Sequence, residues 1–175
     1  MSKHILPFSL LCAVICLAGC SHIPKGAQAI GNFEKERYLG TWYEIARFDF
    51  TFERNLDNTT AEYSVLDDRY ITIRNSGYNY VKKEWQDVVG KAKFRGPDTV
   101  GELKVSFFGP FYGAYNIIAL DPDYRYALIA GKNLKYLWIL SRTKDMPDGV
   151  KNEYVDKARS LGYKTENLIW VNHND

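Results

Sequence analysis

Gly40-Thr41-Trp42-Tyr43-Glu44-Ile45-Ala46-Arg47-Phe48 is the stretch whose reading decides the fold. A period of two places Trp42, Glu44, Ala46 and Phe48 on one face and Tyr43, Ile45 and Arg47 on the other. Trp42 and Glu44 therefore point the same way, inward if the sheet closes on itself. Gly40 stands where a chain turning tightly into a barrel needs a residue without a Cβ, so that a large indole can tuck beneath its own backbone. Taken alone, the stretch fits an ordinary strand with a core tryptophan better, and the rest of the chain shifts the balance.

Beyond Phe48 come short strand signals at 60–66, 70–75, 85–94, 102–107, 112–120, 126–130 and 136–141. Turn-forming residues separate them: Asp67-Asp68, Ser76-Gly77, Gly96-Pro97-Asp98, Gly109-Pro110, Asp121-Pro122-Asp123 and Gly131-Lys132-Asn133. Such short connections pair neighbours antiparallel. Within the strands Ala61/Tyr63/Val65, Ile71/Ile73, Gly90/Ala92/Phe94 and Leu103/Val105/Phe107 each share an apolar face, with polar residues alternating behind them. The predicted class is all-β: an eight-stranded antiparallel up-and-down barrel whose interior is either filled or holds one small ligand. The period then changes. Val150, Tyr154, Val155, Ala158 and Leu161 form one helical stripe, with Pro147 suited to the first turn and Gly162 to the C-terminal cap. Residues 167–171 read as a short ninth strand, 33–39 as a helical turn, and 49–59 as a loop long enough to act as a lid.

In a meander the connections alternate between the two barrel ends, so the start of the first strand, the sixth turn and the end of the eighth share one end. Gly40, Trp42, Asp121, Tyr124 and Arg142 are therefore expected to seal that end, with Arg142 lying across the Trp42 indole and donating to nearby carbonyls. The opposite end is expected to be a mouth ringed by Phe50, Phe52, Arg54, Tyr78, Tyr80, Lys82, Phe111 and Tyr112. An apolar cavity under an aromatic and basic rim suits a long acyl chain with an anionic head, although the same aromatic cluster fits a membrane surface or a second copy in a homodimer. Alternation gives Glu44, Tyr63, Phe94, Phe107, Tyr115 and Trp138 as candidate ligand-binding residues. Glu44 is the one carboxylate directed inward, and burial requires it to pair with an internal Arg or Tyr or to orient a ligand head group.

The chain opens with a basic residue, Lys3, and an apolar run from Ile5 to Ala18 that is short for a membrane span, the pattern of an export signal. Leu17-Ala18-Gly19-Cys20 resembles a bacterial lipobox, which implies cleavage before Cys20, acylation of that residue and attachment to the membrane by acyl chains. The expected organisation is a removed signal at 1–19, a lipidated cysteine and tether at 20–36, and one barrel domain at 37–175. All 3 cysteines (Cys12, Cys16, Cys20) lie in or at the end of the signal, leaving no thiol for a disulfide or a nucleophile. The 3 histidines are His4, His22 and His173, so a His-dependent triad or a His/Cys zinc site has no material within the barrel, and no cofactor is expected. A formal charge of only +2 gives no reason to expect a nucleic-acid partner.

Gly40-Thr41-Trp42, Asp121-Pro122-Asp123-Tyr124 and Arg142 resemble the three signature regions of the lipocalin family. The stretches 38–47, 104–111 and 136–143 resemble its bacterial members carried on the outer membrane as lipoproteins. The resemblance implies carriage or storage of fatty acids, lysophospholipids or phospholipids at the cell envelope, on the periplasmic side. Two other classes stay open at this point: a surface interaction module with a filled barrel, and a lipid-modifying enzyme working through carboxylates alone.

Overall fold

The computed structural model describes residues 22–174, and in it eight antiparallel strands close into a barrel. They are β1 (Gly40–Arg47), β2 (Leu56–Val65), β3 (Ile71–Asn79), β4 (Glu84–Phe94), β5 (Glu102–Ser106), β6 (Gly113–Leu120), β7 (Tyr126–Ala130) and β8 (Leu137–Ser141). Each strand pairs with its chain neighbour, and β1 bonds to both β2 and β8 to complete the ring. A helical turn, α1 (Lys35–Tyr38), precedes the barrel; α2 (Asp148–Ser160) and a two-residue strand, β9 (Ile169–Trp170), come after it. The expected meander, helix and ninth strand are thus all present. The expected lid is shorter than its sequence suggests, because β2 begins at Leu56 and pairs there with Asn79, the last residue of β3.

The first strand departs from simple alternation. Glu44 faces Leu140 and Ala46 faces Ile139, so Ile45 is an extra residue with no partner on β8. Such a bulge shifts the faces by one. Trp42 and Glu44 point inward as expected, but Ile45 and Ala46 both join the outer core, Phe48 packs outside on Tyr163 at 5.9 Å, and Arg47 turns into the barrel. The sequence expectation that put Arg47 opposite Glu44 is corrected by that one residue.

Two apolar cores result. The inner one, around Trp42, Tyr63, Ile73, Leu103 and Ile117, fills the closed half of the barrel. The outer one lies between the wall and α2, where Tyr154 and Ala158 pack on Ile118, Leu128 and Ile139. Tyr154 also donates to the Tyr126 carbonyl (3.0 Å), and Gly162, at φ +93°, ends the helix in a conformation only glycine adopts freely.

The segment expected as a tether is sewn to the wall instead. Asn116 Nδ2 donates to the His22 carbonyl (2.9 Å), Ile30 exchanges bonds with Ile117 and Gly101 (2.9 Å each), and Phe33 donates to Thr99 before its ring enters the inner core. The signal and Cys20 lie outside the described residues.

Candidate functional site

At the closed end, Gly40 has φ +93°, and a Cβ there would stand 3.4 Å from Arg142 Nη1. The guanidinium of Arg142 lies 3.9 Å above the Trp42 ring and donates to the carbonyls of Thr41 (2.9 Å), Arg37 (2.8 Å) and Tyr124 (3.2 Å). Trp42 Nε1 donates to Tyr38 O at 2.8 Å. Asp121 holds the sixth turn through Arg125 and the amides of Asp123 and Arg125. These groups meet one another and line neither lobe of the cavity.

Above this floor the barrel is open. Two lobes, of about 680 and 360 Å³, share Glu44, Phe52, Glu53, Ala61, Asn75 and Phe107 as lining. Gly90 makes room for Phe107, whose ring would lie 2.6 Å from any Cβ at that position. Tyr63, Tyr115 and Trp138 line the smaller lobe. Its base is a chain of phenols: Tyr115 bonds Tyr38 at 2.6 Å and Tyr63 at 2.8 Å, and burial pushes all three up so that they stay protonated. Five of the six residues predicted from alternation therefore line the cavity. Phe94 does not: it lies below the phenols, with its ring 5.9 Å from Phe33, because β4 ends at the closed rim.

A polar corner sits beneath the mouth. Glu44 Oε1 accepts from Arg47 Nη1 (2.8 Å) and Thr59 Oγ1 (3.2 Å). Arg47 Nη2 donates to the carbonyls of Glu53 (2.7 Å) and Leu56 (3.0 Å), so this side chain, 2% exposed, also ties down the β1–β2 loop. Trp138 Nε1 donates to Glu53 Oε2 at 3.2 Å. Burial, together with the charge of Glu44, holds the Glu53 carboxyl up at about 8, and burial raises Glu44 as well, against the pull of Arg47. Arg47, Glu53, Thr59 and Asn75 were not expected in the site. Glu53 stands in an aromatic-rich loop, a weak signal; Arg47 carries none, since residues three apart in a regular strand face opposite ways.

The mouth differs from its expected ring. Phe52, Phe108 and Phe111 are exposed at its edge. Phe50 is buried, stacked on Tyr136 (5.3 Å) and against Trp138 (4.8 Å), so it is a wedge under the loop and not part of the rim. Tyr78 faces outward and meets Trp85 edge-on at 5.7 Å, since its neighbour Gly77 takes the inner face. Tyr80 ties the β3–β4 hairpin to Asn55, and Tyr112 reaches the smaller lobe with Lys104 Nζ 5.2 Å over its ring. The basic rim is largely paired: Arg54 holds Asp49 through three hydrogen bonds, and Lys82 lies 3.9 Å from Glu84. Lys132 lines the smaller lobe.

Comparison with known proteins agrees with this architecture. Residues 33–173 match a lipocalin-like domain. The chain is 50% identical over 171 residues to the outer membrane lipoprotein Blc of Citrobacter freundii, covering 96% of this chain and 97% of the relative. It is 53% identical over 148 residues to the protein of the same name from Escherichia coli K12 (85% and 84%) and 34% identical over 153 residues to temperature-induced lipocalin-1 of Arabidopsis thaliana (82% and 81%). Insecticyanin from the tobacco hornworm Manduca sexta shares the fold at a TM-score of 0.71 with 19% identity, covering 89% of this chain and 88% of that one. With its sealed floor, open cavity and these relatives, the chain belongs to the lipocalin family.

Proposed function

We propose that this chain is a lipid carrier of the cell envelope, held on the outer membrane by acyl chains on Cys20 and facing the periplasm. A fatty acid, lysophospholipid or phospholipid places its tail in the barrel. The observation that carries this reading is the open cavity itself: two confluent lobes walled by Ala61, Val88, Val105, Phe107 and Leu140, with the buried carboxylates Glu44 and Glu53 gathered in one corner. Burial of the tail supplies roughly 0.8 kcal/mol per methylene, enough for a chain of a dozen carbons to prefer the barrel to water. Relatives named as outer membrane lipoproteins support the location. The clamp on His22, two residues beyond Cys20, supports a barrel kept close to the lipid surface.

The chain from residue 21 onward, which lacks Cys20 and its acyl chains, serves as the soluble form. Delipidated and re-exposed to an envelope lipid extract, it is expected to retain one lipid per barrel in native mass spectrometry. Barrels that stay empty would refute carriage. A second copy has one observation in its favour: Trp85, 62% exposed against Tyr78, leaves an aromatic patch on the outer wall, and sedimentation equilibrium reads whether it pairs. Carriage without turnover fits the corner, where the carboxylates are engaged by Arg47, Thr59 and Trp138.

A further inference from the structure

The corner of the cavity sets two carboxylates against one guanidinium. Glu44 and Glu53 line both lobes, and their internal bonds use one oxygen of each. Arg47 donates to Glu44 and to two backbone carbonyls, and its Nε lies 3.9 Å from Glu53 Oε2 without a hydrogen bond. From β3, Asn75 lines both lobes, and its Oδ1 is buried without a hydrogen-bond partner. The other charged groups along the lining do not restore the balance: Asp87 on β4 is acidic and turned to Arg74 at 3.5 Å, and Lys132 enters from the exposed β7–β8 connection. The phenols of Tyr63 and Tyr115 are bonded to each other. Arg47 Nε is also unpartnered but lines neither lobe, so the unfilled capacity that faces the cavity is acceptor capacity with an excess of acid, which calls for a cationic donor.

We propose that this corner is a subsite for an ammonium group, so that the lipid carried is one whose head bears an amine, with Glu53, Glu44 and Asn75 accepting its N–H bonds. The inference rests on the carriage reading and narrows its substrate, and it reverses the expectation of an anionic head. In the empty barrel Glu53 is protonated at neutral pH. When R–NH3+ arrives, the Glu53 O–H bond breaks, the proton leaves to solvent, and a carboxylate–ammonium pair remains.

The test compares dodecylamine, dodecanol and dodecanoate, one chain under three heads, by calorimetry at pH 7 in phosphate and in HEPES with the chain from residue 21. Dodecylamine is expected to bind about tenfold more tightly than dodecanol, and dodecanoate more weakly than either. Amine binding releases roughly one proton and alcohol binding none. Glu53→Gln brings the amine down to the affinity that the same variant shows for dodecanol and abolishes the proton release. Equal binding of all three heads would remove the ammonium subsite and leave carriage standing; binding of none would remove both. Should Glu53→Gln fail to fold, the head-group ranking and the proton release on the unsubstituted chain still decide.

Discussion

Arg142→Ala separates the floor of the barrel from its site. The guanidinium makes one stacking contact, 3.9 Å over Trp42, and three bonds to the carbonyls of Thr41, Arg37 and Tyr124. A half-exposed cation–π contact contributes about 0.5–2 kcal/mol and each hydrogen bond about 0.5–1.5 kcal/mol. One side chain makes all four, so the terms overlap, and a net loss of about 3 kcal/mol is expected. For a chain of this size that lowers Tm by roughly 6–12 °C in differential scanning calorimetry. Arg142→Lys recovers part of the loss, because an ammonium keeps the charge but not the planar fork. Dodecanol affinity, measured well below the transition, is expected to stay unchanged, since Arg142 lines neither lobe. An unchanged Tm combined with lost binding would refute the division between floor and pocket.

Two further outcomes concern the polar corner and the N-terminal seam. Because the folded chain holds a proton on Glu53 up to about 8 while an ordinary glutamate sheds it near 4.5, stability is full below that lower value and falls as pH rises towards 8; urea denaturation across this window should show the slope, Glu53→Gln should remove most of it, and a flat wild-type profile would contradict the corner's electrostatics. Phe33→Ala is expected to cost about 3–5 kcal/mol and to speed amide exchange at Ile30 and Gly101, because the ring, 4% exposed, pins the N-terminal segment between Tyr38, Phe94 and Tyr124.

The barrel was legible because alternation and turn residues are local signals, and eight repeats of them leave few topologies. The closed end was legible too: a meander's parity brings Gly40 and Arg142 together without any knowledge of side-chain packing. The cavity was only partly legible. Alternation finds Tyr63, Phe107, Tyr115 and Trp138 but says nothing about height along the axis, so Phe94 was placed in the pocket when its strand ends at the floor. Loop packing and strand face also decide the mouth, where Phe50 turns under the loop and Tyr78, on the outer face of β3, turns out. Long-range seams such as Ile30 on Ile117 leave no pattern in a segment of small and polar residues, and so 20–36 read as a lipidated cysteine and tether.

The bulge at Ile45 ties these levels together. Without it Arg47 would face the outer core, and Glu44 would be buried with no counter-charge, at a cost of several kcal/mol. The extra residue brings Arg47 into the barrel, where one guanidinium neutralises Glu44 and fastens the loop that presents Glu53. It also leaves backbone groups of β1 to satisfy, since the β1–β2 pairing stops at Tyr43 and Thr60. Residues of the C-terminal segment fill that gap: Val171 donates to Ile45 O at 3.0 Å, His173 Nε2 bonds Glu44 O at 2.8 Å, and β9 pairs with Ala46 and Arg47. The ninth strand is thus the closure that lets β1 carry a bulge, and the bulge is what puts two acids and one base at the top of a lipid-sized cavity.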